Sequence, residues 1–293
     1  MPSSDMPSSE EPSLIAFLKK QNPLSRFNAA SAKTVDRDAH LAKAHYEKDS
    51  LRVLSWNINK QNKSKHWQKE FRHLLAQHQP DKIFLQEVRI CAHLAQTPRS
   101  KSVYGLSHIE PDLSWSFAPN FIDTATNTYS GVLTATKIRR ISSLSLTTDH
   151  TEPILQTPKA TLFTEYSFSE CSDNLLTVNT HLINFVSLSK FKAQLQAIEQ
   201  VLEKHTGAII FSGDFNTWNS ARWQMLSDMT TRLELRSVAF GQQDTQKIKS
   251  FLRSPPLDHI FYRGFEQKLL SAKVIDEATS SDHSPLVVEL HRQ

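Results

Sequence analysis

Several apolar runs in this chain end in short segments of acidic, amide and histidine residues. The clearest of these polar segments are residues 55–59, 85–87, 179–182, 212–216, 256–259 and 281–284. The runs before them have the length of buried strands, so the polar residues would follow strand ends and could meet at one edge of a sheet. Such an edge can hold a divalent cation and a phosphate group. The pattern therefore favours a metal-dependent phosphodiester hydrolase.

The composition is that of an ordinary globular protein. Of the 293 residues, 39% are hydrophobic and 22% are charged, which allows one large domain or two small ones. The apolar runs are too short to span a bilayer, and the first residues do not resemble a secretory signal. The two cysteines, Cys91 and Cys171, are far apart in sequence, which favours reduced thiols and a cytoplasmic protein. The net charge of +4 is compatible with a polyanionic substrate.

Hydrophobic periodicity divides the chain into an N-terminal extension and one catalytic domain. Residues 1–12 are rich in proline, serine and glutamate and are predicted to be disordered, and a short amphipathic helix is predicted over 14–20. We assign residues 1–49 to the partly disordered extension and residues 50–293 to the domain.

Within the domain, patterns typical of strands outnumber those typical of helices. Strands are predicted over 51–57, 82–87, 113–118, 131–136, 141–146, 159–168, 175–181, 208–213, 259–262 and 286–290. Helices are predicted over 65–78, over 187–205, and from 219 or 220 to about 229. Many strands with few helices between them indicate an α/β sandwich of two sheets with helices outside.

Two asparagines and a glutamate at strand ends are candidates for binding a hard cation or a substrate. Asn57 and Asn59 lie two positions apart, so both side chains would point to the same side. Glu87 directly follows a buried strand, where an ionised carboxylate needs a partner such as Mg²⁺ or contact with solvent. Taken singly, the asparagines could form a turn and Glu87 could be a solvated acid.

The later polar segments contain candidate acid–base groups. Asp214 could orient an attacking water molecule or accept its proton, and Asn216 could hold the metal or the phosphate. Asp258 could fix the tautomer of His283 and support its charged form. His181 ends a predicted strand, where it could donate to a phosphate oxygen. An Asx turn, a structural Asp–His pair and a structural histidine are the respective alternatives.

Two further residues are candidates for contact with the substrate. Trp218 closely follows Asn216 and could face the substrate, for example by stacking on a base. Lys159 begins a predicted strand and could reach a phosphate, with a solvated lysine as the alternative. Core packing is the expected role of Trp56 and Phe215.

Taken in order along the chain, the polar segments resemble the motifs of the endonuclease/exonuclease/phosphatase superfamily, which includes DNase-type enzymes, abasic-site endonucleases, sphingomyelinases and inositol-polyphosphate phosphatases. The matching strings are Trp56-Asn57, Gln86-Glu87, Thr180-His181-Leu182, Gly213-Asp214-Phe215-Asn216, Leu257-Asp258-His259-Ile260 and Ser281-Asp282-His283. The resemblance covers about residues 50–291 and is closest to the bacterial YafD-like branch. It implies a Mg²⁺- or Mn²⁺-dependent hydrolase with a four-layer α/β-sandwich, in which two packed, mainly antiparallel or mixed β-sheets are flanked by helices.

The resemblance also implies which residues bind the metal ion. Glu87 would be the principal ligand, with Asn57 nearby and Asp282 supporting the metal site. Abasic-site endonucleases have an acid where this chain has Asn59. The missing negative charge would weaken metal binding or remove a second metal position.

By the same resemblance, the remaining matched residues act on the substrate. Asp214 would orient or activate the attacking water, and Asn216 would bind phosphate or metal. His283 would contact the phosphate while Asp258 holds its ring. His181 would stand where the family has a phosphate-contacting histidine or tyrosine.

The sequence leaves three classes of function open. DNA is the first choice of substrate because the chain is basic and expected to be cytoplasmic. A phosphatase or phosphodiesterase that acts on lipid or inositol phosphates is the alternative. A binding module that keeps the fold without catalysis is the third, although the polar residues are intact in all six segments. We expect no obligate protein partner.

Overall fold

The structure, a computed structural model, describes residues 26–30, 33–92, 112–168, 173–251 and 254–293. The predicted disorder of residues 1–12, the predicted helix over 14–20, and Cys171 all lie outside the described residues. In chain order the strands are β1 (Phe27–Ala29), β2 (Val35–Arg37), β3 (Ser50–Asn57), β4 (Lys82–Cys91), β5 (Ser114–Asp123), β6 (Thr128–Thr136), β7 (Ser142–Thr147), β8 (Ala160–Tyr166), β9 (Leu175–His181), β10 (Ile209–Asp214), β11 (Arg236–Ser237), β12 (Asp258–Arg263), β13 (Phe265–Gln267), β14 (Lys273–Val274) and β15 (Leu286–Arg292).

These strands form two sheets. In the larger, which has nine strands among the described residues, the order is β1-β5-β6-β4-β3-β15-β13, with β2 paired to β5 and β14 to β15. In the smaller, which has six strands in the same part of the chain, the order is β11-β12-β10-β9-β8-β7. Strand β3 is parallel to β4 and β9 is parallel to β10, whereas the other described pairs are antiparallel. Both sheets are therefore mixed and mainly antiparallel.

The described residues include helices α1 (Lys65–His78), α2 (Leu188–Leu202), α3 (Ser220–Arg232) and α4 (Gln242–Thr245), and a 3-10 turn spans Gln61–Lys63. The first three pack on the outer faces of the sheets. Trp67 and Phe71 lie one turn apart on α1 and are fully buried in a core cluster with the larger sheet. Phe191 and Leu195 lie one turn apart on α2 and join Phe211 of the smaller sheet in a second cluster.

A third core cluster lies between the sheets. Phe84 of β4 and Val288 of β15 share it with Ile210 of β10 and Ile260 of β12. With helices outside both sheets, the layers run helix, sheet, sheet, helix, and the predicted four-layer α/β-sandwich is confirmed. None of the helices in the described part of the chain combines the length and hydrophobicity that a bilayer-spanning helix needs.

The predicted strands and helices of the domain are all present, with differences at their ends. Strand β4 continues to Cys91, beyond its predicted end at Glu87, because a bulge between Leu85 and Val88 shifts its register without ending it. Sequence patterns do not predict β1, β2, β11, β13, β14 or α4. Each of these spans only two to four residues, too few to show a hydrophobic period.

Part of the predicted N-terminal extension is joined to the larger sheet. Strands β1 and β2 both pair with β5, with Phe27 opposite Asp123 and Val35 opposite Phe117. Tyr46 is buried, and its hydroxyl lies 2.9 Å from Thr136 Oγ1. Strands β1 and β2 and the side chain of Tyr46 therefore contact the domain whose start was predicted at residue 50.

Candidate active site

The polar segments predicted from the sequence meet because both sheets end at the same side. Parallel strands β9 and β10 end together, so that His181 lies opposite Asp214. Strand β12 runs antiparallel to β10 and begins there, with Asp258 on the other side of Asp214. In the larger sheet, the parallel strands β3 and β4 bring Asn57 beside Gln86.

A glycine allows the close approach of β9 and β10 at this edge. Gly213 has a φ of 151°, and a Cβ atom on it would lie 1.9 Å from the carbonyl oxygen of Thr180. Any larger residue would therefore push the two strands apart just before Asp214. This explains why one of the chain's six glycines lies in the segment 212–216.

The polar side chains surround a cleft of about 310 Å³. The sequence-predicted site residues that line it are Glu87, Lys159, His181, Asp214, Asn216, Asp282 and His283. Asn57 and Asp258 are 2% and 4% exposed and lie directly behind this lining, since each is hydrogen-bonded to a lining residue. The fold therefore brings together side chains that are more than two hundred positions apart.

A row of two carboxylates and one imidazole lies at the centre of the cleft. His283 Nδ1 donates to Asp258 Oδ2 at 2.7 Å, and His283 Nε2 lies 3.8 Å from Asp214 Oδ2. Burial opposes the charged imidazole, but Asp258 and then Asp214 outweigh it and raise the pKa of His283 well above its usual value. His283 is therefore a cation at neutral pH, with an N–H available on Nε2.

Asp214 is held in place by three neighbours. Asn57 Nδ2 donates to its Oδ2 at 2.9 Å, and the backbone N–H of Asn216 donates to its Oδ1 at 3.0 Å. His181 Nε2 lies 3.5 Å from the same Oδ2. Burial lowers the pKa of His181 to about 4, with Lys159 as the next contributor, so this second histidine is neutral. Asp214 thus stands between one charged and one neutral imidazole.

Glu87 reaches the cleft because of the bulge in β4. Its φ of 55° is in the left-handed region, which turns the side chain away from the regular alternation of the strand. Its carboxylate forms an ion pair with Lys60 Nζ. Burial would raise the pKa of Glu87, but Lys60, His181 and Lys159 together lower it below its usual value. The carboxylate is therefore ionised, and at neutral pH, where His181 is uncharged, the cations that stabilise it are Lys60 and Lys159.

The segment 281–284 is fixed to β3 by two hydrogen bonds. Trp56 Nε1 donates to the carbonyl oxygen of His283 at 2.8 Å, and Ser281 Oγ donates to that of Asn57 at 2.7 Å. The ring of Trp56 packs in the core, as predicted, and is stacked on the ring of Trp67 with 5.9 Å between the ring centroids. These bonds set the position of the His283 ring, which lies in a loop.

A buried amide holds the two sheets in register behind the cleft. Asn179 Nδ2 donates to the carbonyl oxygens of Leu85 and Leu133 in the opposite sheet, at 3.1 and 2.8 Å. Its Oδ1 accepts from Gln86 Nε2 at 2.8 Å. The residue before Glu87 is thereby tied to the strand that carries His181.

The structure places four predicted site residues away from the central row. Asp282 is half-exposed and pairs with Lys249 at 3.2 Å, and Lys159 pairs with Glu152 at 3.3 Å. The ring of Trp218 lies behind Phe185, with its Nε1 bonded to Asn184 Oδ1 at 2.8 Å. Asn59 contributes its backbone N–H to Asn57 Oδ1 at 3.1 Å.

Several residues that line the cleft were not among the predicted site residues, and three of them have side chains suited to a role there. Lys60 pairs with Glu87, and Phe185 and Phe251 line the mouth with side chains that are 60% and 47% exposed. Lys60 directly follows a predicted site residue, which is a weak signal for its position. The two phenylalanines lie in loops whose course no local pattern indicates.

Glu87, rather than the central row, fits a hard divalent cation. Asp214, Asp258 and His283 each offer a ligand atom, all within 4.8 Å of one another. His283 donates to Asp258 and is protonated on both ring nitrogens, so it has no lone pair for a metal ion. Glu87 is an ionised carboxylate whose side chain is 19% exposed and faces a positive charge, which a divalent cation could also supply.

Comparison with known proteins agrees with the fold and the order of the motifs. The model of the Endonuclease/Exonuclease/phosphatase family matches residues 54–283. A UPF0294 protein of Vibrio parahaemolyticus is 33% identical over 248 residues, which cover 84% of this chain and 80% of the relative. UPF0294 proteins are YafD-like, so the predicted branch is confirmed.

Solved structures share the fold at low sequence identity. An endonuclease/exonuclease/phosphatase from Beutenbergia cavernae has a TM-score of 0.61 and 15% identity, covering 83% of this chain and 72% of that one. The human Nocturnin catalytic domain with a bound sulfate anion also has a TM-score of 0.61, with 18% identity, covering 93% of this chain and all of that one. On the match over residues 54–283, the chain belongs to the endonuclease/exonuclease/phosphatase family.

Proposed function

We propose that the protein is a divalent-metal-dependent phosphodiester hydrolase and that its substrate is DNA. The observation that carries this proposal is the row Asp258–His283–Asp214, in which His283 is hydrogen-bonded to Asp258 at 2.7 Å and lies 3.8 Å from Asp214, an arrangement suited to in-line attack by water. A carboxylate for the water and a charged imidazole for the phosphate lie side by side in one cleft.

The chain's own residues divide the work between water and phosphate. Asp214, oriented by Asn57 and by the backbone of Asn216, aligns the water and accepts its proton. His283 donates from Nε2 to a phosphate oxygen and so stabilises the charge that builds up during attack. His181, which is neutral, adds a second N–H donor beside the same carboxylate.

Glu87 and Asn57 would hold the metal ion, with Asn216 as a further oxygen donor. When bound there, Mg²⁺ or Mn²⁺ supplies a Lewis acid that withdraws charge from the phosphate group. Asp282 pairs with Lys249 at the rim of the cleft and would support the metal site from there. Lys159 is the proposed contact to a further phosphate, and Trp218 supports the loop of Phe185.

A phosphodiesterase or phosphatase that acts on lipid phosphates is the second candidate, and the mouth of the cleft favours it. Leu155, Phe185 and Phe251 line the mouth with side chains that are 42%, 60% and 47% exposed. Ile154, at 73% exposed, extends this apolar surface. Acyl chains or a bilayer surface would bury it, whereas stacked bases would use its aromatic rings.

A substrate panel with matched variants tests the proposal. Plasmid and oligonucleotide DNA, RNA, inositol phosphates and phospholipid vesicles are each incubated with Mg²⁺ or Mn²⁺, and again with EDTA. Metal-dependent cleavage of DNA should fall at least about 10²-fold in Glu87→Gln and in His283→Ala. Glu289→Gln, which removes a carboxylate paired with Lys268 outside the cleft, is the control and should cleave normally.

The same panel separates the alternatives. Metal-dependent turnover of phospholipid vesicles but not of DNA, lost in Phe185→Ala, would replace DNA by a lipid substrate. No turnover of any substrate, together with no Mn²⁺ binding, would contradict the enzyme and support the binding module. A cytoplasmic location, the division at residue 50, and the absence of an obligate protein partner stay predictions.

A further inference from the structure

Lys60 is bound to Glu87 through both its backbone and its side chain. The Lys60 N–H donates to the carbonyl oxygen of Glu87 at 3.0 Å, and its Nζ forms an ion pair with the carboxylate of the same residue. Ile58 N–H adds a third link, to the carbonyl oxygen of Gln86 at 3.0 Å. The segment after β3 is thus fastened to the bulge of β4.

The backbone on both sides of this ion pair is in an unusual conformation. Asn59, Lys60 and Glu87 have φ angles of 44°, 62° and 55°, in the left-handed region that non-glycine residues seldom occupy. Such conformations cost free energy and persist where the surrounding structure requires them. Lys60 directly precedes the 3-10 turn Gln61–Lys63. Its backbone is therefore held on one side by this turn and on the other by the hydrogen bond to Glu87.

Among the cleft lysines that the structure describes, Lys60 is the one paired with Glu87, the proposed principal metal ligand. Lys159 has its own carboxylate partner in Glu152, and Lys249 has one in Asp282. The side chains of Lys60 and Glu87 are only 30% and 19% exposed, so their attraction is less screened than that of a surface pair.

The charges near Glu87 do not favour a second divalent cation. Asn57 and Asn59 carry neutral amides, and Lys60 brings a positive charge into the same cleft. A second divalent cation near Glu87 would therefore meet the ammonium group of Lys60 and no carboxylate from residues 55–60. The ammonium group of Lys60 thus occupies a position where a second divalent cation would need a negatively charged ligand.

We propose that the ammonium group of Lys60 is a built-in positive charge at Glu87 that takes the place of a second divalent cation. This inference rests on the proposed function, because Glu87 is there the principal metal ligand. An ammonium group has three N–H donors, so Lys60 can donate to Glu87 and to an oxygen of a bound phosphate at once. It competes with the metal ion for Glu87 but stabilises the phosphate, and therefore affects metal affinity and turnover in opposite directions.

Mn²⁺ titration followed by electron paramagnetic resonance tests the first of these effects without any substrate. Lys60→Met should bind Mn²⁺ about 10-fold more tightly than the wild type, because the repulsive charge is gone. Lys60→Arg keeps the charge and should bind Mn²⁺ as the wild type does. In Glu87→Gln, adding Lys60→Met should no longer tighten binding, since the competition takes place on that carboxylate.

Turnover at saturating metal tests the second effect. Lys60→Met should lose about 10²-fold in kcat/KM on the cleaved substrate, and Lys60→Arg should recover most of it. Lys268→Met, which removes one charge from a pair outside the cleft, is the control and should change neither quantity. Thermal unfolding identifies a variant that does not fold, and Lys60→Gln replaces Lys60→Met in that case.

The inference and the proposed function can fail separately. Unchanged or weaker Mn²⁺ binding in Lys60→Met would overturn the inference, as would a parallel loss of affinity and turnover that arginine does not restore. Tighter Mn²⁺ binding in a protein that cleaves none of the substrates would instead contradict the proposed function and leave the position of Lys60 as inferred.

Discussion

The bond between Asp258 and His283 offers the sharpest test of how the cleft works. Asp258 is 4% exposed and accepts from His283 Nδ1 at 2.7 Å, a charge-assisted hydrogen bond shielded from water. Asp258→Asn keeps the shape of the side chain but removes its charge. The pKa of His283 should then fall towards its usual value, because its strongest stabilising charge is lost.

The size of the effect follows from the strength of such bonds. A hydrogen bond to a charged group contributes about 1.5–3 kcal/mol, and a rate changes tenfold for about 1.4 kcal/mol. Asp258→Asn should therefore reduce kcat/KM by about 10- to 10²-fold at neutral pH. The loss should grow as the pH rises, since the variant loses the charged imidazole near neutrality while the wild type keeps it at higher pH.

Two measurements check this reasoning. The pH profile of kcat/KM on the cleaved phosphodiester gives the activity, and nitrogen NMR of the His283 ring gives its pKa directly. Asp36→Asn is the control, because Asp36 pairs with Arg140 at 3.2 Å and lies outside the lining of the cleft. If Asp258→Asn kept the wild-type rate and pH profile, the assignment of His283 as a carboxylate-supported cation would be refuted.

Two further predictions concern stability. Gly213→Ala should cost about 3 kcal/mol or more of unfolding free energy, because its Cβ would lie 1.9 Å from the carbonyl oxygen of Thr180. Gly241→Ala, whose Cβ would have nothing nearer than 3.7 Å, should be nearly neutral, and equal urea midpoints for the two variants would contradict the argument. His259 is buried, which lowers its pKa to about 4, so the unfolded chain takes up a proton below about pH 6.5 that the folded chain refuses. This histidine should therefore reduce the free energy of unfolding by up to about 3 kcal/mol as the pH falls from about 6.5 to 4. Measured by urea unfolding, the free energy of His259→Gln should fall by correspondingly less over the same pH range.

The sequence by itself determined the longer strands, the main helices and the order of the polar segments. These features depend on local patterns, such as the apolar run Ile209–Phe211 before Asp214, or Trp67 and Phe71 one turn apart. The family resemblance then indicated that Glu87, Asp214 and His283 belong to one site. The motifs indicate a shared site because their residues lie at strand ends, and the sheets fix where those ends lie.

Tertiary structure alone decided which side chains meet in the cleft and which turn away. Lys60 reaches Glu87 because three residues adopt left-handed backbone angles, and no hydrophobic period encodes those angles. Asp282 is matched by its motif, yet its carboxylate pairs with Lys249 at the rim. Phe185 lines the mouth only because its loop returns to the sheet edge. Contacts of this kind join residues far apart in sequence, so their geometry depends on strand pairing across the whole domain rather than on neighbouring residues.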